Sequence, residues 1–183
     1  MLFETAQDFE TWLKDNHASA SGVRMQISKK GSGTRSVSYA EALDVALCYG
    51  WIDGVKNALD EKYFLQTFTP RRARSIWSKI NTEKVTKLIE QGRMQPAGLK
   101  EIEAAKKDGR WDSAYKSQSN TELPEDFQAE LDKNPEAKAF FATLNSANRY
   151  AFVFRVQTAK KPETRKARIE KFITMLNNHE KLH

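Results

Sequence analysis

Apolar residues recur along this chain at two spacings, and the change from one to the other outlines the fold. Phe9, Trp12 and Leu13 form a stripe at helical spacing, and Thr5 and Asp8 before them stand at capping-box separation. Val23, Met25 and Ile27 then alternate with Arg24, Gln26 and Ser28, the period of a half-buried strand. "KKGSGT" (29–34) is a turn, and "RSVS" (35–38) is expected to begin a returning strand. Ser38 and Glu41 make a second capping box ahead of Leu43, Ala46 and Leu47, with Gly50 as the stop. "WIDGVKNALDEKYFLQTFTP" (51–70) then predicts strand, polar turn and strand, ended by Pro70.

Beyond residue 80 every periodic segment is helical. Asn81 is the expected cap of a helix with Val85, Leu88 and Ile89 inside, and Gly92 closes it. Pro96 opens the next, with Leu99, Ile102 and Ala105 inside and Gly109 beyond its end. "SAYKSQSNTEL" (113–123) is polar and predicts a linker. Helices follow from Pro124 (Phe127, Leu131), from Asn134 with Pro135, from Ser146 (Tyr150, Ala151, Phe154) and from Pro162 (Ile169, Phe172, Ile173, Leu176). The expected fold class is α+β: a small antiparallel sheet in the N-terminal half packed with helices, then an all-helical part. The expected domains are 1–116 and 117–183, the second packed on the first.

Composition agrees with a folded chain. Its 183 residues are 39% hydrophobic and 30% charged, with 8 Gly and 5 Pro, enough to bury a core without disulfides or metals. The one cysteine, Cys48, excludes an internal disulfide and reads as a core residue. The N-terminal "MLFETAQDFETWLKDN" has early acids and no basic or apolar leader, and no run reaches the roughly 18 apolar residues of a membrane span. The expectation is a cytoplasmic protein.

The net charge of +6 is uneven: −2 over 1–70, +6 over 71–116, −5 over 117–136 and +7 over 137–183. Two basic segments around an acidic one suit an anionic partner, or an acidic helix that neutralises a basic face. His17, His179 and His183 are too scattered for a usual metal site. No phosphate-cradling glycine loop or nucleophile elbow occurs, "GSG" (31–33) being turn chemistry first. No cofactor is expected.

The densest chemistry is "TPRRARSIWSKIN" (69–81). Arg71, Arg72 and Arg74 offer guanidinium forks for phosphate or carboxylate, and Trp77, Ser78 and Lys79 lie close by. The competing reading is a salt-bridge strut in which these arginines pair with acids of the preceding hairpin, such as Asp53 in "YGWIDG". Trp51 reads as core, and Asp53 as turn chemistry or a base that orients the arginines. A secondary basic patch comprises Lys160, Lys161, Arg165 and Arg168 on the last helix, opposite its apolar stripe.

The blocks GWIDG, FTPRRARSIWSKIN, GRMQPAG and ETRKARI, in this order, resemble the YdeI/OmpD-associated family, also labelled bacteriocin-protection proteins, from about Phe3 to Leu176. The resemblance implies tolerance of antimicrobial peptides, association with an outer-membrane porin, a periplasmic setting and no assigned catalytic activity. The matching positions are Trp51, Asp53, Arg71, Arg72, Arg74, Trp77, Ser78, Lys79, Asn81, Arg93, Thr164, Arg165 and Arg168. Three functions stay open: a binding module for a phosphate-bearing small molecule, nucleic acid or anionic lipid surface; an enzyme with an Asp/Arg pocket; and a protein-interaction module.

Overall fold

A computed structural model describes residues 1–115 and 122–182. The expected linker and the expected boundary after residue 116 fall on, or run into, residues outside that set. The chain divides into two compact units, Met1–Ala114 and Tyr115–His183.

The first unit is the α+β part. Its elements are α1 (Ala6–Asn16), β1 (Val23–Ser28), α2 (Tyr39–Cys48), β2 (Trp51–Ala58), β3 (Tyr63–Pro70), α3 (Lys79–Glu90) and α4 (Pro96–Lys107). Both predicted capping boxes form, Thr5 with Asp8 and Ser38 with Glu41, each satisfying amides that the first helical turn leaves without a partner. The sheet is antiparallel with order β1-β3-β2. Val23 lies opposite Phe68 and Ile27 opposite Phe64, so the alternation read from β1 sends its apolar face into the core.

β2 is bulged between Asp53 and Lys56. Gln66 is buried on β3, and its amide donates to the Gly54 carbonyl at 3.0 Å and to that of Thr67 at 3.2 Å. The bulge thus supplies the acceptor that a buried amide requires.

Residues 35–38 form no strand. Leu2 bridges Gln26 of β1, and the Val37 amide donates to Phe3. The N-terminal residues hold the edge a returning strand would need, while Ser36 Oγ accepts from the Ser28 amide at 2.8 Å. The α3 cap is Ser78, not Asn81: the Ser78 hydroxyl accepts from the Asn81 amide at 3.2 Å. Ile89 and Leu99, expected inside, are exposed; Val85, Leu88, Ile102 and Ala105 carry those helices' burial. The core gathers around Phe9, Leu13, Met25, Trp51, Phe68 and Trp77.

The second unit contains α5 (Glu125–Lys133), α6 (Pro135–Thr143), α7 (Ser146–Gln157) and α8 (Pro162–Asn177). Its core joins Phe127, Leu131, Phe152, Val156 and the predicted α8 stripe of Ile169, Phe172, Ile173 and Leu176. Phe152 and Phe172 meet edge to face with centroids 5.1 Å apart. The α7 cap is Asn145, one residue before the expected Ser146, and its side chain accepts from the Asn148 amide. The buried α7 face is Phe152, Val153 and Val156, whereas Tyr150, Ala151 and Phe154 are half-buried.

Candidate functional site

β3 leads straight into the arginine segment. The Arg71 amide donates to the Gly50 carbonyl at 3.0 Å, fastening the segment's start beside the end of α2. The Arg71 side chain turns inward. It is 7% exposed, its guanidinium lies 3.6 Å from the centroid of the Trp77 ring, and Nη1 donates to the Ile76 carbonyl at 3.3 Å. A weakly hydrated planar cation over an indole face is a favourable way to bury an arginine. Trp77 is itself buried and packs against Trp111, with centroids 5.2 Å apart.

Arg110 holds the same segment from beyond α4. It is 6% exposed, its Nε donates to both Asp108 carboxylate oxygens, and its Nη1 donates to the Ser75 carbonyl at 2.8 Å. Arg110 and Trp111 belong to none of the sequence motifs singled out above. The available signal was an Arg-Trp pair directly after the Gly109 stop.

The predicted cluster therefore divides. Arg71 and Trp77 are internal. Trp51 is buried, packed edge-on against Trp12, and its indole N–H donates to the His17 carbonyl at 3.1 Å. Ser78 is a helix cap. Asp53 accepts from the Tyr39 hydroxyl at 2.8 Å and pairs with none of the arginines, so the strut is built from Trp77 and backbone carbonyls rather than from Asp53. Arg72, Arg74 and Lys79 remain exposed with no ion pair among the described residues. Ile76 and Ile80, 46% and 47% exposed, stand among them. Arg72 and Arg74 lie in the stretch that leads into α3 and Lys79 is its first residue, and the first turn of that helix contains no acid. Helix N-termini carry positive partial charge and ordinarily attract acids, so the local potential is strongly positive.

The secondary patch divides the same way. Arg165 grips the Asp126 carboxylate through Nε and Nη2 and donates Nη1 to the Val156 carbonyl at 3.0 Å. Arg168 donates to the Arg155 carbonyl. Both tie α8 to its neighbours within the second unit, leaving Lys160 and Lys161 exposed.

Two clefts of about 570 Å³ each lie in the first unit. One runs along the polar face of α1, past Glu10, Lys14 and His17, to Tyr49 and the start of α4. The other is a lysine-walled groove at the hairpin, with Lys29, Lys30 and Lys56 around Phe64. Neither is lined by Asp53 or by an arginine. Among the described residues, no group of three His, Cys, Asp or Glu side chains gathers as metal ligands do, and no helix is long and apolar enough to cross a membrane.

Residues 1–101, more than half of the chain, match the family model described as Domain of unknown function (DUF8412), and residues 120–179 match the one described as Bacteriocin-protection, YdeI or OmpD-Associated. The chain belongs to the DUF8412 family and carries a YdeI/OmpD-associated domain. No curated protein and no solved structure matches it. The likeness expected over the whole chain is thus divided. The GWIDG, PRRARSIWSKIN and GRMQPAG blocks lie within the DUF8412 match, while the YdeI/OmpD-associated domain takes in α5 to α8 and the ETRKARI block. Arg110 and Trp111, which fasten the arginine segment, lie between the two matches.

Proposed function

We propose that this protein is a binding module for a phosphate-bearing anionic surface, engaged through the exposed rim of Arg72, Arg74 and Lys79. The observation that carries this reading is the division of the arginine segment. One arginine fixes the backbone, and the three cations that follow it face solvent with no ion pair among the described residues, in the stretch that leads into the N-terminus of α3. Clustered like charges repel and raise the free energy of the unliganded surface, and an anion relieves that cost. Rigid presentation lowers the ordering entropy of binding.

Ile76 and Ile80 favour a lipid headgroup surface over a soluble nucleotide. Exposed apolar side chains beside cations can enter the interface while the cations meet phosphates. A module that occupies anionic headgroups would compete there with other cationic binders, which agrees with the bacteriocin-protection label on the second match. An Asp/Arg catalytic pocket finds less support, since Asp53 is engaged by Tyr39 and Arg71 is internal.

Co-sedimentation with phosphatidylglycerol–phosphatidylcholine vesicles tests the proposal. Each cation near an anionic surface contributes about 1 kcal/mol, so the triple variant Arg72→Ala, Arg74→Ala, Lys79→Ala is expected to bind about a hundredfold more weakly. Added salt should weaken the native protein in the same direction. Undiminished binding by the triple variant would refute the assignment. Preference for labelled duplex DNA over vesicles would keep the phosphate chemistry and reject the lipid surface.

A further inference from the structure

The three-stranded sheet has one closed edge and one open edge. Beside β1, the Met1 ammonium donates to the Arg24 carbonyl at 2.7 Å, the Gln26 amide donates to the Met1 carbonyl at 2.8 Å, and Leu2 bridges Gln26. Beside β2, the order β1-β3-β2 leaves no neighbouring strand. In an antiparallel pair, every second residue turns its amide and carbonyl away from the partner strand. Among the described residues, no backbone bond outside the β2–β3 ladder involves residues 54–58. All five of these residues are exposed.

The two faces of this edge differ in chemistry. Lys56 lies opposite buried Gln66, and Ala58 opposite Phe64. Both therefore stand on the face that carries Met25 and Ile27 into the core. At the hairpin end that face outruns the core. Phe64 is only half-buried there, and Lys29, Lys30 and Lys56 wall the groove of about 570 Å³ around it. The Lys56 ammonium lies 4.0 Å from the centroid of the Phe64 ring. None of the three lysines has an ion pair among the described residues, and Lys29 donates instead to the Asp60 carbonyl at 2.6 Å. No acid lines the groove. The Asp60 carboxylate closes the hairpin turn, accepting from the Lys62 and Tyr63 amides at 2.8 Å each. The opposite face is apolar. Val55, adjacent to Lys56 and so directed to the other side, is 66% exposed, and Leu59, just past the end of β2, is 44% exposed.

This combination selects among strands that could join the sheet. The bulge between Asp53 and Lys56, together with the edge lysine, deters pairing with an identical edge, where like charges would be opposed. The same lysines attract an acidic strand. We infer that the open edge of β2 captures an extended acidic segment of a partner protein, which adds as a fourth strand beside residues 54–58. Main-chain hydrogen bonds supply the affinity and alternate side chains the selectivity. Acidic side chains of the segment face Lys56 and the groove, and apolar ones cover Val55. The site is separate from the arginine rim, which follows the other end of β3.

The test is an NMR titration of the full chain with a capped hexapeptide that alternates glutamate and valine. Two control peptides accompany it: one alternating lysine and valine, and one of the Glu/Val sequence with alternate backbone amides methylated. The Glu/Val peptide is expected to give saturable shifts at the amides of 54–58. Both controls should bind at least about tenfold more weakly. Lys56→Glu, at an exposed position outside the core, should weaken the Glu/Val peptide to the same extent and strengthen the Lys/Val one. Arg72→Ala/Arg74→Ala should leave binding at 54–58 unchanged. Absence of saturable shifts at 54–58, equal binding of the methylated peptide, or undiminished binding by Lys56→Glu would overturn the inference. Sedimentation showing that the chain dimerises through this edge would also overturn it, assigning the edge to a second copy.

Discussion

Single side chains decide what the arginine segment can do. Arg71 and Arg72 are adjacent, yet one lies over an indole and the other faces solvent. Nothing in the dipeptide separates them; the difference comes from Trp77 and Trp111, which supply an aromatic wall for one side of the chain. The Gly-for-any-residue question at position 98 is equally local. Gly98 has an ordinary backbone conformation, so its reason is space rather than φ. An added Cβ would meet the Cys48 carbonyl oxygen at 2.3 Å and its carbon at 2.9 Å, and a backbone carbonyl cannot rotate away as a flexible side chain could. Gly98→Ala must therefore push α4 from α2 and is expected to cost about 2 kcal/mol, in the range of overpacked cores. Urea unfolding measures this directly. Unchanged stability would mean that the two helices are not pressed together at this point.

At the scale of elements, the segment 71–78 is fastened from within by Arg71 and Trp77 and from beyond α4 by Arg110. Arg110→Ala removes a buried guanidinium that satisfies the Ser75 carbonyl and binds the Asp108 carboxylate. A hydrogen bond to a charged group contributes about 1.5–3 kcal/mol, so a loss of about 3 kcal/mol is expected in denaturant unfolding, with faster amide exchange across 72–78. Exchange that stayed native-like would show that Trp77 alone holds the loop. This contact also explains what could be read in advance. Both capping boxes and the α8 stripe depend on neighbours within one or two turns, and they were legible as patterns. So were the strands 23–28 and 51–70, whose alternation or aromatic content is local. Position 35–38 was misread because the edge it would join is held by Leu2, more than thirty residues away. The α3 and α7 caps were misplaced where cap-competent residues stand in series, Ser78 with Asn81 and Asn145 with Ser146. The candidate site was half legible: its cations were evident, but which of them face solvent depends on Arg110 and Trp111, and the cleft depends on α1, α2 and α4 meeting.

For the molecule as a whole, titration makes the broadest prediction. Carboxylates in both units are held below their ordinary values by hydrogen bonds: Asp8 by the Thr5 side chain, Glu41 by the Ser38 side chain, Asp60 by the Tyr63 amide, Asp126 by Arg165 and Asp132 by Lys138. A carboxyl with a depressed folded-state pKa binds protons more readily in the unfolded chain. Its stabilisation is therefore complete above its ordinary value, 3.8 for Asp and 4.5 for Glu, and is lost as pH falls below it. Cys48 acts at the other end. Burial, as the main cause, pushes its thiol from 9.0 up to about 11, so the folded state keeps a proton that the unfolded state releases, and stability falls as pH rises between those values. The expected profile is a plateau from about pH 5 to about pH 9 with a decline on each side. Asp126→Asn should flatten the acid limb when unfolding of α5–α8 is followed, because that carboxyl can no longer lose its Arg165 contact by protonation; Glu41→Gln should do so for the first unit. Urea midpoints measured across the range check both limbs, with Cys48→Ala expected to shallow the alkaline one. An acid limb equally steep in Asp126→Asn would show that the Arg165 bridge does not persist in solution, and the reading of Arg165 as a structural tie, rather than part of a free basic patch, would then fail with it.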